Sequence, residues 1–314
     1  MASTQSDAEP IVRVNKLAKS YGQFRAVDEI SFEVRAGEIF GFLGPNGAGK
    51  TTTARILTGV LRADSGSALV LGHPAGSLRA KQEMGVVPET ANPYADLSAW
   101  DNMMLMAELY GVPGHTAKER ATQLLQELGL LERRSTLAKG YSKGMKQRLV
   151  LGMALIGDPR ILFLDEPTSG LDVQSARLLR SLLRAFHAKG RTIFITTHDM
   201  DEANQLCNRI AIISHGKIAA IDAPEKIKLA TKELHSVEVS FNRPVDAASI
   251  AAIQGVNTVK ESGDKLKLYT TDPGGLVVRL VSFAESNNLN IVTINTLAPS
   301  LEDAFVALVA DGEK

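Results

Sequence analysis

Three segments carry side chains whose types and spacing suit phosphate chemistry. GPNGAGKT, residues 44–51, fits G-x-x-x-x-G-K-[ST] without a mismatch, directly after the apolar run IFGFL and at the head of TTARILTGVL. Gly44, Gly47 and Gly49, with Pro45, Asn46 and Ala48 between them, let backbone N–H groups wrap phosphate oxygens. Lys50 is expected to reach the β and γ phosphates and the Thr51 hydroxyl to ligate Mg²⁺, with Thr52 next on the helix. ILFLDEP is an apolar strand ending in two carboxylates. Asp165 is placed to hold Mg²⁺ through water, and Glu166 to polarise an attacking water as general base. A solvated strand end would explain an Asp–Glu pair, but not its pairing with a complete phosphate loop. TIFITTHD ends a third strand at His198, on the side of a parallel sheet where ligands collect; we expect a γ-phosphate contact there.

A fourth stretch, GYSKGMKQRL (140–149), reads as a helix about to begin. Unpaired backbone N–H groups and the helix dipole at such a start attract an anion.

The elements that must position these groups alternate between strand-like and helix-like from Ile11 to about Ala230, the pattern of an α/β domain around a largely parallel sheet. Ile39–Leu43, Ile161–Leu164 and Thr192–Thr196 are the clearest buried strands. Between Pro88 and Leu149 the chain turns mostly helical, with Ser98 and Asp101 as a capping box. Beyond Pro224 and the charged segment KLATKEL, the order SVEVSF, VDAASIAAIQ, a hairpin turning at Gly263 and Asp264, LVVRLVSFAES and NIVTIN spells β-α-β-β-α-β, the ferredoxin-like motif, and Ser300 with Asp303 caps a closing helix. The predicted organisation is therefore a flexible tail at 1–9, an α/β nucleotide-binding domain at 10–231 with a helical part at about 89–150, and an accessory α+β domain at 232–314, a regulatory or packing module.

At 314 residues, two domains are expected. Lys plus Arg and Asp plus Glu both number 35, so no global positive field argues for nucleic acid. The single cysteine, Cys207, cannot form an internal disulfide and reads as a buried filler. MASTQSDAEP does not resemble a secretory signal. The longest apolar stretches, such as LVLGMALIG, fall far short of the ~18–20 residues that span a bilayer, so a membrane connection is expected through a partner.

GPNGAGKT, LFLDEP, SGLD (169–172) and TTHD, in this order and on these elements, resemble the ATP-binding cassette of ABC transporters over about Ile11 to Ile221. The resemblance implies a P-loop cassette with a mixed sheet and a helical subdomain, ATP and Mg²⁺ as ligands, and Asp172 in the loop that crosses between two ATPase subunits. It implies that Tyr21, in KSYGQFRAV, stacks on adenine; the structural alternative is a core position at the start of a sheet. Two positions depart from the pattern. Glu89 in GVVPET stands where most relatives carry glutamine; it can still ligate Mg²⁺ but, when ionised, cannot donate a hydrogen bond. YSKGM, from Tyr141 through Ser142, Lys143 and Gly144 to Met145, replaces the usual LSGGQ. It keeps a hydroxyl and a close-approach glycine, while Lys143 either adds a cation beside the triphosphate or points into solvent.

These variants, and the ending PSLEDAFVALV, resemble ATPase subunits of ABC-2-type exporters, including the daunorubicin-exporter-like and ABCA-like groups. The implied assembly is two ATPase subunits sandwiching two ATP, YSKGM of one facing the γ-phosphate held by the other. It docks on the cytoplasmic face of a multispan membrane permease through the helical insertion around Glu89 to Asn102, with exposed-looking Asn92, Pro93 and Tyr94. The rival readings are a non-transport ABC ATPase driving envelope remodelling and a nonhydrolytic ATP-binding regulatory module.

Overall fold

The computed structural model describes residues 9–90, 92–230 and 235–311. The tail expected at 1–9 lies outside the described residues except for Glu9, and so does the boundary expected at 231–232. The chain divides instead between Ala223 and Pro224 into two units.

In the first unit, β1 (Val12–Tyr21) and β2 (Phe24–Val34) form a hairpin. With β4 (Ser65–Val70) and β5 (His73–Pro74) they build an antiparallel sheet of order β2-β1-β4-β5. The second sheet holds β3 (Ile39–Leu43), β6 (Met84–Val87), β7 (Ile161–Asp165), β8 (Thr192–Thr197), β9 (Arg209–Ser214) and β10 (Lys217–Asp222), in the order β10-β9-β3-β8-β7-β6. Only the β9–β10 hairpin is antiparallel there. The strands expected to be buried are so along nearly their whole length, as suits parallel strands covered on both faces. Phe32 of β2 joins the two sheets, its ring centroid 5.7 Å from that of Phe40 and 5.3 Å from that of Phe42. Burying each such ring contributes about 2–3 kcal/mol.

Parallel register brings the strand ends that matter to one edge. Leu43 pairs with Thr197, and Asp165 with Thr196. The loops leaving β3, β7 and β8 therefore emerge side by side.

Among the described residues, seven α-helices complete the unit: α1 (Lys50–Leu57), α2 (Leu78–Gln82), α3 (Ala99–Leu109), α4 (Gly114–Glu127), α5 (Lys143–Leu155), α6 (Val173–Ala188) and α7 (Met200–Leu206). The expected capping box opens α3: Asp101 N–H donates to Ser98 Oγ at 3.1 Å, and that hydroxyl donates to Asp101 Oδ2 at 2.6 Å.

The second unit runs α8 (Pro224–Ala230), β11 (His235–Phe241), α9 (Ala247–Ala251), β12 (Thr258–Ser262), β13 (Lys265–Thr270), α10 (Pro273–Ser286), β14 (Ile291–Leu297) and α11 (Leu301–Asp311). Its antiparallel sheet has the order β12-β13-β11-β14. Alternate residues Val237, Val239, Leu266 and Leu268 pack against Ile250, Leu276 and Leu280 of α9 and α10. Asp303 of α11 accepts hydrogen bonds from Lys267 Nζ (3.0 Å), Tyr269 OH (2.7 Å) and Ser300 Oγ (2.6 Å). Helix α8 belongs here because it lies against α11, a long-range contact with no local signature in the segment itself.

Candidate functional site

The loop 44–49 folds as its composition requires. Gly47 and Gly49 take φ of 81° and 107°, which residues with a Cβ rarely adopt. A Cβ on Gly49 would also strike the Ala26 carbonyl, whereas beside Gly47 there is open space. Gly49 then N-caps α1 without a side-chain cap, and the first turn holds no acidic residue. The N–H groups of that turn are thus left for an anion, with the helix dipole behind them.

Lys50 is buried at 5% exposure. Its Nζ donates to the carbonyls of Gly44 (2.8 Å) and Pro45 (3.1 Å) and lies 3.1 Å from Glu166 Oε1. That last contact is Coulombic, because Oε1 receives no hydrogen bond of good geometry. Glu166 Oε2 faces His198 Nδ1 at 2.6 Å. An ionised carboxylate only accepts, so Nδ1 carries the proton and donates. The His198 side chain is 52% exposed, with Nε2 left for another partner. One buried carboxylate therefore joins groups from α1, β7 and β8. Its backbone sits at φ 48°, a left-handed conformation costing about 1–2 kcal/mol, and is held there by an N–H donating to the Thr196 carbonyl at 3.0 Å.

Thr51 Oγ1 donates to Asp165 Oδ1 at 3.1 Å, and Thr196 Oγ1 donates to the same oxygen at 2.5 Å. Two hard oxygens at the end of a phosphate loop suit Mg²⁺, which takes one or two protein ligands beside phosphate oxygens and water. Among the described residues, no group of three or more His, Cys, Asp or Glu could cage a metal. The donor set thus fits an ion arriving with a polyphosphate.

Tyr21, 49% exposed, is not a core residue. With Phe24, Asn46, Thr52, Glu89 and Glu166 it lines one cavity of about 170 Å³ along the loop, so an aromatic face stands at the same groove as the charged cluster. Glu89 is exposed.

The stretch 140–149 does begin a helix. Ser142 N-caps α5, accepting from Met145 N–H at 3.3 Å. Ser142 and Lys143 are exposed and Met145 is partly so, while Gly144 is buried. Tyr141 is 5% exposed and its hydroxyl donates to the Arg133 carbonyl at 2.7 Å; burial pushes that phenol's pKa up. A Cβ on Gly144 would come 2.6 Å from Ser175 Oγ, so its close approach is to α6 of the same chain. The Lys143 ammonium lies against Gly170. Asp172 N-caps α6: Ser175 donates its hydroxyl (2.7 Å) and N–H (2.9 Å), holding the Asp172 carboxyl below its ordinary pKa.

In the region expected to dock a partner, Asn92 and Tyr94 are exposed but Pro93 is buried. A cavity of about 580 Å³ there is lined by Arg55, Val60, Glu89, Asn92, Tyr94 and Met106, among others. Sequence reasoning passes over Asn102, fully buried, whose Oδ1 accepts from Tyr94 N–H at 2.8 Å and whose amide donates to Ser98 O at 2.9 Å. It also passes over Thr196; a threonine in a β-rich run carries no signal distinct from strand propensity. Cys207 is buried, and burial raises its thiol pKa.

A family model described as "ABC transporter" matches residues 27–169. The chain is 36% identical to the "Nod factor export ATP-binding protein I" of Ralstonia nicotianae, over 95% of this chain and 94% of that one. It is 34% identical to the "Linearmycin resistance ATP-binding protein LnrL" of Bacillus subtilis, over 95% and 98%. Among solved structures, one described as an ATP binding subunit of an ABC transporter superposes with a TM-score of 0.65 at 27% identity, over 70% of this chain and 92% of that one. With these likenesses, and with the phosphate loop and both acidic and histidine strand ends on one edge of the sheet, the chain belongs to the ATP-binding subunits of ABC transporters.

Proposed function

We propose that this chain is the ATP-hydrolysing motor of an ABC-2-type exporter, acting as two copies on the cytoplasmic face of a separate multispan membrane subunit. The observation that carries this reading is Glu166, buried and held between Lys50 of the phosphate loop and His198 of the neighbouring strand. A regulatory module without hydrolysis has no use for a general base fixed in that way. Export is supported by the names of the relatives, which span both units of this chain. A separate membrane subunit is supported by the finding that no helix among the described residues is long and apolar enough to cross a bilayer.

In this mechanism the first-turn N–H groups of α1 and the loop N–H groups bind the β and γ phosphates, and Lys50 turns from the Gly44 and Pro45 carbonyls to those oxygens. Tyr21 stacks on the adenine. Thr51 and Asp165, with Glu89 at the rim, would hold Mg²⁺, and the ion would supply neutralisation of charge on the phosphate oxygens. Glu166 takes a proton from the attacking water, and His198 orients Glu166 through Nδ1 while Nε2 meets the γ-phosphate. The exposed Ser142, with Asp172, faces the second copy, where Ser142 completes that copy's site. The C-terminal unit, with its β-α-β-β-α-β order and β12-β13-β11-β14 sheet, is a ferredoxin-like accessory module.

Phosphate release from Mg²⁺-ATP by the purified chain, and its loss with ATP affinity in Lys50→Ala, is the expected result. Normal ATP affinity in that variant overturns the loop reading. Copurification with a multispan membrane protein whose substrate stimulates hydrolysis supports export; a single-span partner without transported solute refutes it.

A further inference from the structure

In a chain whose charges balance overall, the stretch from the end of α1 to the end of α2 is strongly one-sided. Between Arg55 and Gln82 it carries Arg55, Arg62, Arg79 and Lys81 against a single carboxylate, Asp64, and Asp64 is taken by Lys19 Nζ at 2.6 Å. The four cations are exposed, and among the described residues none of their side chains has an ion pair or a hydrogen bond. The same stretch holds Val60 and Leu78, 74% and 73% exposed. One such side chain is ordinary on a surface; two beside unpaired cations make a patch.

Local geometry sets these groups together. Leu61 and Ala63 pack on the core, leaving Val60 and Arg62 on the surface. In α2, Ala80 is fully buried. With about 100° of turn per residue, Leu78 then crowns the outer face, and Arg79 and Lys81 stand on its two flanks. Beneath them the backbones of Gly59 and Gly76 meet: a Cβ on Gly59 would strike Gly76 Cα and come 3.2 Å from Lys81 Cε. Lys81 therefore lies over the residue next to Val60 and joins the two exposed turns. Arg55 and Val60 also line the cavity of about 580 Å³ beside Asn92 and Tyr94, so the patch continues the surface to which the reading above assigns the membrane partner.

Cations on flexible stems around a projecting aliphatic tip fit a fluid anionic layer, which needs no matching shape. A nucleic-acid backbone would use the cations and gain nothing from Leu78. We infer that this patch seats on the anionic headgroups of a lipid bilayer, with Arg62, Arg79 and Lys81 at the level of the phosphates and Leu78 dipping between headgroups, while Arg55 and Val60 border the membrane partner. In placing a membrane on this side, the inference rests on the docking reading above.

The test is cosedimentation of the full chain with vesicles of equal parts phosphatidylglycerol and phosphatidylcholine, and with vesicles of phosphatidylcholine alone. The chain binds the anionic vesicles, binds the others weakly, and is released as salt shortens the Debye length. Arg62→Ser/Arg79→Ser/Lys81→Ser lowers partitioning about a hundredfold, at about fivefold per cation, and Leu78→Ser lowers it about tenfold. Removing as much charge elsewhere, as Lys118→Ser/Arg134→Ser/Lys260→Ser, lowers it less than about fivefold. ATP affinity stays parental in all of these variants, because none of the altered side chains lines the nucleotide groove. No binding, or equal binding to both vesicles, overturns the inference. So do a patch variant no weaker than the charge control, a Leu78→Ser chain at parental affinity, and a patch-dependent affinity for duplex DNA above that for vesicles. Should the triple patch variant fail to fold, Leu78→Ser and the lipid dependence of the parent decide. The vesicles hold no protein, so failed vesicle binding leaves the docking reading standing, and failed copurification with a membrane subunit leaves the patch standing.

Discussion

Replacing Glu166 with glutamine changes one oxygen to an amide nitrogen and removes one negative charge, at a side chain held by two cationic or potentially cationic neighbours. The amide oxygen can keep the His198 contact now spanning 2.6 Å. The amide nitrogen then faces the Lys50 ammonium, donor against donor, in place of the 3.1 Å ion pair. Lys50 retains the Gly44 and Pro45 carbonyls, so the fold survives and the ammonium is freer to meet a phosphate. The chemical step loses its base. Base catalysis contributes about 10²–10⁴-fold, equivalent to about 2.7–5.4 kcal/mol of barrier. Single-turnover phosphate release should fall by that factor while ATP binds at least as tightly as to the parent, and the variant should accumulate as an ATP-bound dimer in size-exclusion chromatography. Turnover within about fivefold of the parent would refute the assignment of Glu166, whatever its contacts.

Tyr21→Ala should weaken ATP affinity by about 5–150-fold, the ~1–3 kcal/mol of a base stacked on an aromatic ring, and Tyr21→Trp should retain it; fluorescence titration with ATP measures both, and an unchanged Kd for the alanine variant removes the ring from the site. Lys143→Gly should leave ATP-dependent dimerisation unchanged across salt concentrations, because the ammonium is exposed and lies against Gly170 of its own chain; a salt-sensitive loss would place that cation on the phosphates. In the C-terminal unit, burial pushes Asp303 up, but hydrogen bonds from Ser300, Tyr269 and Lys267 outweigh it and hold the carboxyl below its ordinary pKa. A depressed folded value means this contribution is complete above the unfolded value of about 3.9 and fades as pH falls through the lower folded value. Asp303→Asn should cost about 2 kcal/mol, read as a roughly thirtyfold loss of hydrogen-exchange protection in α11 at neutral pH that shrinks toward pH 3; equal protection in both chains would refute the clamp.

Groups that act through local spacing were legible in the sequence. The phosphate loop, the two carboxylates closing β7 and the capping pairs Ser98–Asp101 and Ser300–Asp303 each declare themselves within eight residues, and the structure forms those caps. The β2-β1-β4-β5 sheet was not legible. The β1–β2 pairing shifts register between Val14 and Leu17 and again after it, with Lys16 and Glu29 at positive φ, so the alternation that marks a strand breaks midway. Pro93 looked like loop surface beside Asn92 and Tyr94. Its burial follows from Asn102, one turn into α3, which draws the Tyr94 backbone inward. Thr196 acts only across strands far apart in the chain, through Asp165, and a single sequence carries no mark of such a pairing.

The missing side chain at Gly144 also determines how force passes through the molecule. Ser175 fills the gap it leaves, and Ser175 is in turn gripped twice by Asp172. The starts of α5 and α6 are therefore geared together like adjacent teeth, and a push on one is delivered to the other without passing through the nucleotide groove. An alanine at Gly144 would wedge that gear, displacing Asp172 even in a single, isolated copy of the chain.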